Sequence, residues 1–135
     1  MKSFSLFLIV FTTLCLSCKK QLADDNIDRS TTNKLQGKWQ VDSIVVNQYF
    51  NGTYSKASNA GTPEDYIEFR SDGRMYTSFQ GYTDNSSYYV RSDTVIVIGG
   101  DSADINELTD NKLVIYNKAE AGVIGYIATT FYLKR

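Results

Sequence analysis

Leu35-Gln36-Gly37-Lys38-Trp39 is the stretch on which the reading of this chain turns. It holds the only Trp, and it marks the point where polar, unpatterned sequence gives way to alternation. From there Trp39, Val41, Ser43 and Val45 share one face of an extended chain, and Gln40, Asp42, Ile44 and Val46 share the other. Trp39 with Val41 and Val45 makes the first face the expected interior.

Strand-like runs continue from this point. Residues 65–70 lead into Ser71-Asp72-Gly73-Arg74, and residues 75–80 return. Asp-Gly between alternating apolar runs is a hairpin signal, because a type I′ turn needs positive φ. Further runs at 87–91, 94–98, 103–108, 112–116 and 125–135 are separated by turn sequence at 81–85, 99–101 and 110–111. Residues 47–62 are rich in Asn, Gly, Ser and Thr and are expected to form a long loop, with room for a short strand at 48–54. Ten Tyr and seven Phe against a single Pro also favour strands. The fold class is therefore all-β, with about eight strands and no amphipathic helix between them. Short connections make neighbours antiparallel, and an up-and-down meander closed into a barrel leaves no exposed edges. An eight-stranded barrel is either filled by side chains or wide enough for one small ligand. Strand count alone leaves a β-sandwich open.

A Gly two residues before a Trp at the start of a first strand resembles the opening motif of the lipocalins, and the resemblance covers roughly residues 34–135. It is closest to the small lipocalin-like lipoproteins of Bacteroidetes-type bacteria. The resemblance implies that Gly37 lets the chain bend into the barrel and that Trp39 plugs its closed end. A final-strand basic residue, Arg135 or alternatively Lys134, would then lie across the Trp ring. It further implies that the loop at 47–62 covers the open mouth. Thr109-Asp110-Asn111 stands where lipocalins often carry Thr-Asp-Tyr, and a plain hairpin turn explains it equally well.

The N-terminus carries its own signals. Met1-Lys2 precedes an apolar run reaching about Leu16, too short for a transmembrane helix of about 20 residues and suited to a signal-peptide core. Leu16-Ser17-Cys18-Lys19-Lys20 resembles a bacterial lipobox, although Cys15 stands where the consensus has Leu. This reading makes residues 1–17 a lipoprotein signal peptide and Cys18 the lipidated first residue of the mature chain. Residues 18–33 would be a flexible tether and residues 34–135 the barrel. The implied location is the cell envelope, at the outer membrane.

Absences exclude several functions. The chain has no His, which removes the commonest general base and the commonest zinc ligand. Both Cys lie before residue 19, so the barrel has no thiol nucleophile, disulfide or Cys-based metal site. Fourteen Lys and Arg oppose fifteen Asp and Glu without a basic cluster, which argues against nucleic acid. Glu64-Asp65 with Glu68 is the nearest carboxylate group. Asp65 and Glu68 differ in parity on a strand, so a solvated surface is expected there. Asp101-Ser102-Ala103-Asp104 reads as a turn rather than a calcium loop. No enzyme, metal or cofactor is expected. The expected activity is non-covalent binding of a small hydrophobic or amphipathic ligand, with Tyr66, Tyr76, Phe79, Tyr88 and Tyr126 as candidate contacts. The alternative is a solid barrel that acts as a protein-interaction or assembly module.

Overall fold

The computed structural model describes residues 24–135, one α-helix followed by nine strands, with a single 3-10 turn at Gly122–Ile124 before the last strand. Helix α1 spans Asp24–Leu35. The strands are β1 (Gly37–Phe50), β2 (Thr53–Ala60), β3 (Tyr66–Phe69), β4 (Arg74–Phe79), β5 (Tyr82–Ser92), β6 (Val95–Ile98), β7 (Asp101–Leu108), β8 (Lys112–Glu120) and β9 (Gly125–Lys134). Every pairing is antiparallel, and β9 returns to pair with β1 from Gln40 to Phe50. That pairing closes β1 and β3–β9 into an eight-stranded barrel and excludes a sandwich. β2 stands outside the ring, paired with β1 from Ser43 to Phe50.

The β1–β2 hairpin corrects the expected loop. Asn51 (φ 48°) and Gly52 (φ 78°) both take positive φ, as a two-residue type I′ turn requires. Residues 51–60 are exposed throughout, so polar composition concealed a strand whose order comes from backbone pairing with β1.

A bulge between Val41 and Ser43 corrects the expected inward face of β1. One extra residue reverses the alternation. Trp39 and Val41 are buried as expected, but Ile44 and Val46 then join the core in place of Ser43 and Val45. Further bulges interrupt β5 between Val90 and Ser92 and β7 between Ile105 and Glu107.

The tether expectation is also corrected where the described residues begin. Residues 24–33 are helical, because α1 closes one end of the barrel. Thr31 and Leu35, one turn apart, are both buried. Thr31 Oγ1 donates to Asp93 Oδ1 at 2.6 Å, tying the helix to the β5–β6 turn. Between residues 29 and 35, Thr31 and Leu35 are the two buried positions, which leaves little apolar periodicity to read. Cys18 and the expected signal peptide lie outside the described residues.

The two halves of the barrel are filled differently. Towards α1 the interior is solid, packed with Leu35, Trp39, Val41, Phe69, Tyr88, Ile96, Ile105, Leu113 and Leu133. The other half, towards the turns at 80–81, 99–100 and 121–125, holds the cavity described next.

Candidate ligand-binding site

The closed end is built around Trp39, which is fully buried and donates its Nε1–H to the carbonyl of Leu35 at 2.7 Å. The Arg135 guanidinium lies 3.8 Å from the centroid of the Trp39 ring. Its Nη2 also donates to the carbonyls of Lys34 (3.1 Å), Leu35 (3.4 Å) and Gln36. The first two are last-turn carbonyls of α1 with no intrahelical partner, and Gln36 follows directly, so all three lie at the negative end of the helix dipole. One cation therefore joins the last residue of the chain, the first strand and the closing helix. Gly37 has a φ of +111°, and a Cβ there would lie 3.3 Å from Arg135 Nη2. Both conformation and space favour Gly at that position. Lys134 is turned away, bonded to Asp42 on the outer surface.

The open half contains a partly open cavity of about 300 Å³. Ile67, Met75, Ala103, Ile115 and Phe131 supply an apolar floor. Thr77, Ile98, Asp101, Asn117 and Thr129 line the remainder. Register explains this set. Ile115 opposes Phe131 and Asn117 opposes Thr129, so successive inward positions of β8 and β9 pass from apolar to polar towards the mouth. Asn117 Nδ2 donates to the Ser102 carbonyl at 3.0 Å, which leaves its Oδ1 and its second N–H for a ligand. Asp101, expected in a turn, is the first residue of β7; the turn before it is Gly99-Gly100.

None of the five aromatic candidates lines this cavity. Tyr66 and Tyr76 stand on the outer face, their rings covered by Lys38 and Arg70, each 3.9 Å from the ring centroid. Tyr126 is also outside, stacked on Tyr49 at 5.9 Å with Lys118 over its ring at 4.6 Å. Tyr88 faces inwards but belongs to the solid half. It meets Phe69 edge-on at 5.0 Å and donates its hydroxyl to the Arg70 carbonyl at 2.8 Å. Burial pushes that hydroxyl's pKa up. Phe79 is partly buried against the core beyond the cavity lining. Their placement outside the cavity has a simple cause. Aromatic rings fit the outer pleat as well as the inner one, and Tyr76 and Phe79 have opposite parity. The alternation that puts Met75 inwards also puts Thr77 there, and this was the available signal for the polar part of the wall.

Asp65 departs from the expected solvated surface as well. It is 1% exposed, and its carboxylate accepts from the backbone N–H groups of Thr62 (2.8 Å) and Gln80 (2.7 Å). It thus ties the loop before β3 to the β4–β5 turn, where Gln80 has a φ of 52°. The Thr62 backbone hydrogen bond holds its pKa below the usual value; burial opposes this and the Gln80 bond adds to it. Glu68, by contrast, is on the outer face and pairs with Arg70 at 2.9 Å.

The depressed folded-state pKa fixes the sign of the pH effect. Asp65 contributes stability that is fully present above its unfolded value, about 3.9, and is lost as pH falls through the folded value. Asp65→Asn would turn an amide N–H towards one of the two backbone donors. The expected result is a variant less stable at neutral pH, whose deficit shrinks as the pH drops below about 4. Urea midpoints of both proteins across the acid range measure this, and parallel curves would contradict it.

The architecture is a closed eight-stranded antiparallel barrel, packed with side chains at one end and with a cavity at the other. The chain belongs to the lipocalin-like domain family, whose model matches residues 35–115. Among solved structures it is similar to the bovine lipocalin allergen Bos d 2, with 17% identity and a TM-score of 0.48 over 77% of this chain and 74% of that one. The search of curated proteins returned no match.

Proposed function

We propose that this protein is a cell-envelope lipoprotein, anchored to the outer membrane through lipid on Cys18. Its barrel binds a small apolar or amphipathic molecule without chemical change. The observation that supports binding is the cavity of about 300 Å³ with an apolar floor, inside a lipocalin-like barrel. That volume sits at the lower end of the ~300–1,000 Å³ range of ligand pockets, so the ligand is small. The anchor rests on the lipobox-like sequence around Cys18, and Cys18→Ser is expected to move the protein from the membrane fraction to the soluble one.

Binding is tested with residues 24–135, which hold every element of the barrel and its closing helix. Titration with an uncharged, environment-sensitive fluorophore is expected to saturate near one site per chain, and short-chain alcohols should displace it. Ala103 is 6% exposed and lines the cavity, so Ala103→Phe fills the space. This variant is expected to lose binding and keep its β-sheet circular dichroism. A folded wild-type domain that binds nothing would overturn the proposal. A second reading, a protein-docking module, draws support from the projecting β1–β2 hairpin, where Tyr49, Phe50 and Tyr54 are exposed.

A further inference from the structure

The cavity wall carries charge at one point. Among the residues that line it, Asp101 is the single charged one, and neither Lys nor Arg is present. We infer that the site selects amphiphiles with a positively charged, hydrogen-bond-donating head, of the primary-ammonium type, over those with a carboxylate head. This rests on the small-molecule-binding reading above and adds the class of head group.

The polar groups agree with one another. Asp101 directly opposes Ile98 across the β6–β7 turn and shares the inward face of β7 with Ala103. Among the described residues, the ion pairs Glu107–Lys112 and Glu120–Lys118 engage other carboxylates and leave that of Asp101 unpaired. Lys118 and Arg74 are the basic residues next to lining residues in sequence; Lys118 points outwards, 2.8 Å from Glu120 and over the Tyr126 ring, and the exposed Arg74 donates to Asn85. Asn117 spends one of its two N–H groups on Ser102, and its Oδ1 can accept from a ligand. Thr129, opposite it, adds a hydroxyl. An ammonium group has three donors and no acceptor, which complements a carboxylate, an amide oxygen and a hydroxyl. A carboxylate head has only acceptors and would meet Asp101 with like charge.

The alkyl portion fits the floor below, where Ile67, Met75 and Phe131 lie. Each methylene buried there improves affinity about fourfold whatever the head group, so the head group must be judged at fixed chain length. Asp101 is exposed, and water screens it. The expected discrimination between heads of opposite charge is therefore about tenfold rather than the far larger factor of a dry site.

The test uses residues 24–135 and displacement of an uncharged fluorophore by n-octylamine, n-octanol and octanoate near neutral pH at low salt. In the wild type, octylammonium is expected to displace about tenfold more effectively than octanoate, with octanol between them. Asp101→Asn should bring the two charged heads to within about twofold and leave octanol unchanged, which also reports an intact site. Asp104→Asn removes the same formal charge from the opposite face of β7 and should preserve the wild-type ratio. If octanol binds but octanoate equals or exceeds octylammonium, or if Asp101→Asn leaves the ratio intact, the head-group inference falls and the binding reading stands. If none of the three displaces the fluorophore from the folded domain, both fall.

Discussion

Trp39→Ala is expected to remove about 3–5 kcal/mol of folding stability, the range for deleting a buried aromatic side chain. Such a loss is a large share of the roughly 5–15 kcal/mol that holds a typical domain together. Three contributions disappear together. The ring is fully buried at the centre of the solid half, so its removal leaves a void between α1 and the strands. Its Nε1–H no longer satisfies the Leu35 carbonyl. Arg135 loses the ring beneath its guanidinium but keeps the carbonyls of Lys34, Leu35 and Gln36. Thermal melts followed by far-ultraviolet circular dichroism should show the midpoint falling by on the order of 15 °C or more. Arg135→Ala is the informative partner. It leaves the ring in place and removes cation–π attraction of ~0.5–2 kcal/mol together with the helix-end hydrogen bonds. Its melt should fall between wild type and Trp39→Ala. Equal melts for Trp39→Ala and wild type would show that the closed end contributes little to holding the fold.

The contrast between the two ends explains what the sequence reveals. The closed end is legible because backbone geometry and a single large side chain specify it. Gly37 must take positive φ beneath a guanidinium, Trp39 is the only side chain of its size, and the Asp72-Gly73 turn imposes its hairpin whatever surrounds it. The eight-stranded ring follows from strand-forming runs joined by short turns. The open end is hard to read because its information lies in register. A bulge after Val41 exchanges Val45 for Ile44 and Val46, and no propensity marks that point. Asn51-Gly52 carries a type I′ turn signal, but the flanking residues of β2 are mostly polar or small and all exposed, so composition argued for a loop. The cavity wall mixes Met75 with Thr77 and Ile115 with Asn117. That mixture reads as an indifferent face, while Tyr66, Tyr76 and Tyr126, which draw attention in the sequence, stand on the outer face away from this cavity. Asp65 shows the same limit. Its role is set by two backbone N–H groups, Thr62 and Gln80, whose convergence is a property of the fold and not of any local pattern.

Gly61→Ala is the second substitution with a large expected effect, and its reason is purely steric. Gly61 lies outside the left-handed region that disfavours side chains, so an alanine suffers no conformational penalty there. Its Cβ, however, would sit 2.0 Å from the Val41 carbonyl oxygen and 2.7 Å from the Val41 carbonyl carbon. Those are backbone atoms of β1 at the bulge, and they cannot swing aside as the end of a flexible side chain can. Two hydrogen bonds hold the contact closed: Gly61 N–H to the Asp42 carbonyl at 2.9 Å, and Val41 N–H to the Asp65 carbonyl at 3.0 Å. Relieving the overlap means separating the 61–65 segment from β1, which loosens both bonds and disturbs the loop that Asp65 anchors. The expected loss is ~2–4 kcal/mol. Gly81→Ala provides the opposite case. At Gly81 a Cβ meets open space, but φ is +82°, so only the left-handed conformation is penalised. That costs about 1–2 kcal/mol. Chemical unfolding of the two variants should therefore rank Gly61→Ala well below Gly81→Ala. The reverse order would show that β1 and the 61–65 segment are free to move apart, and that the bulge does not hold them in contact.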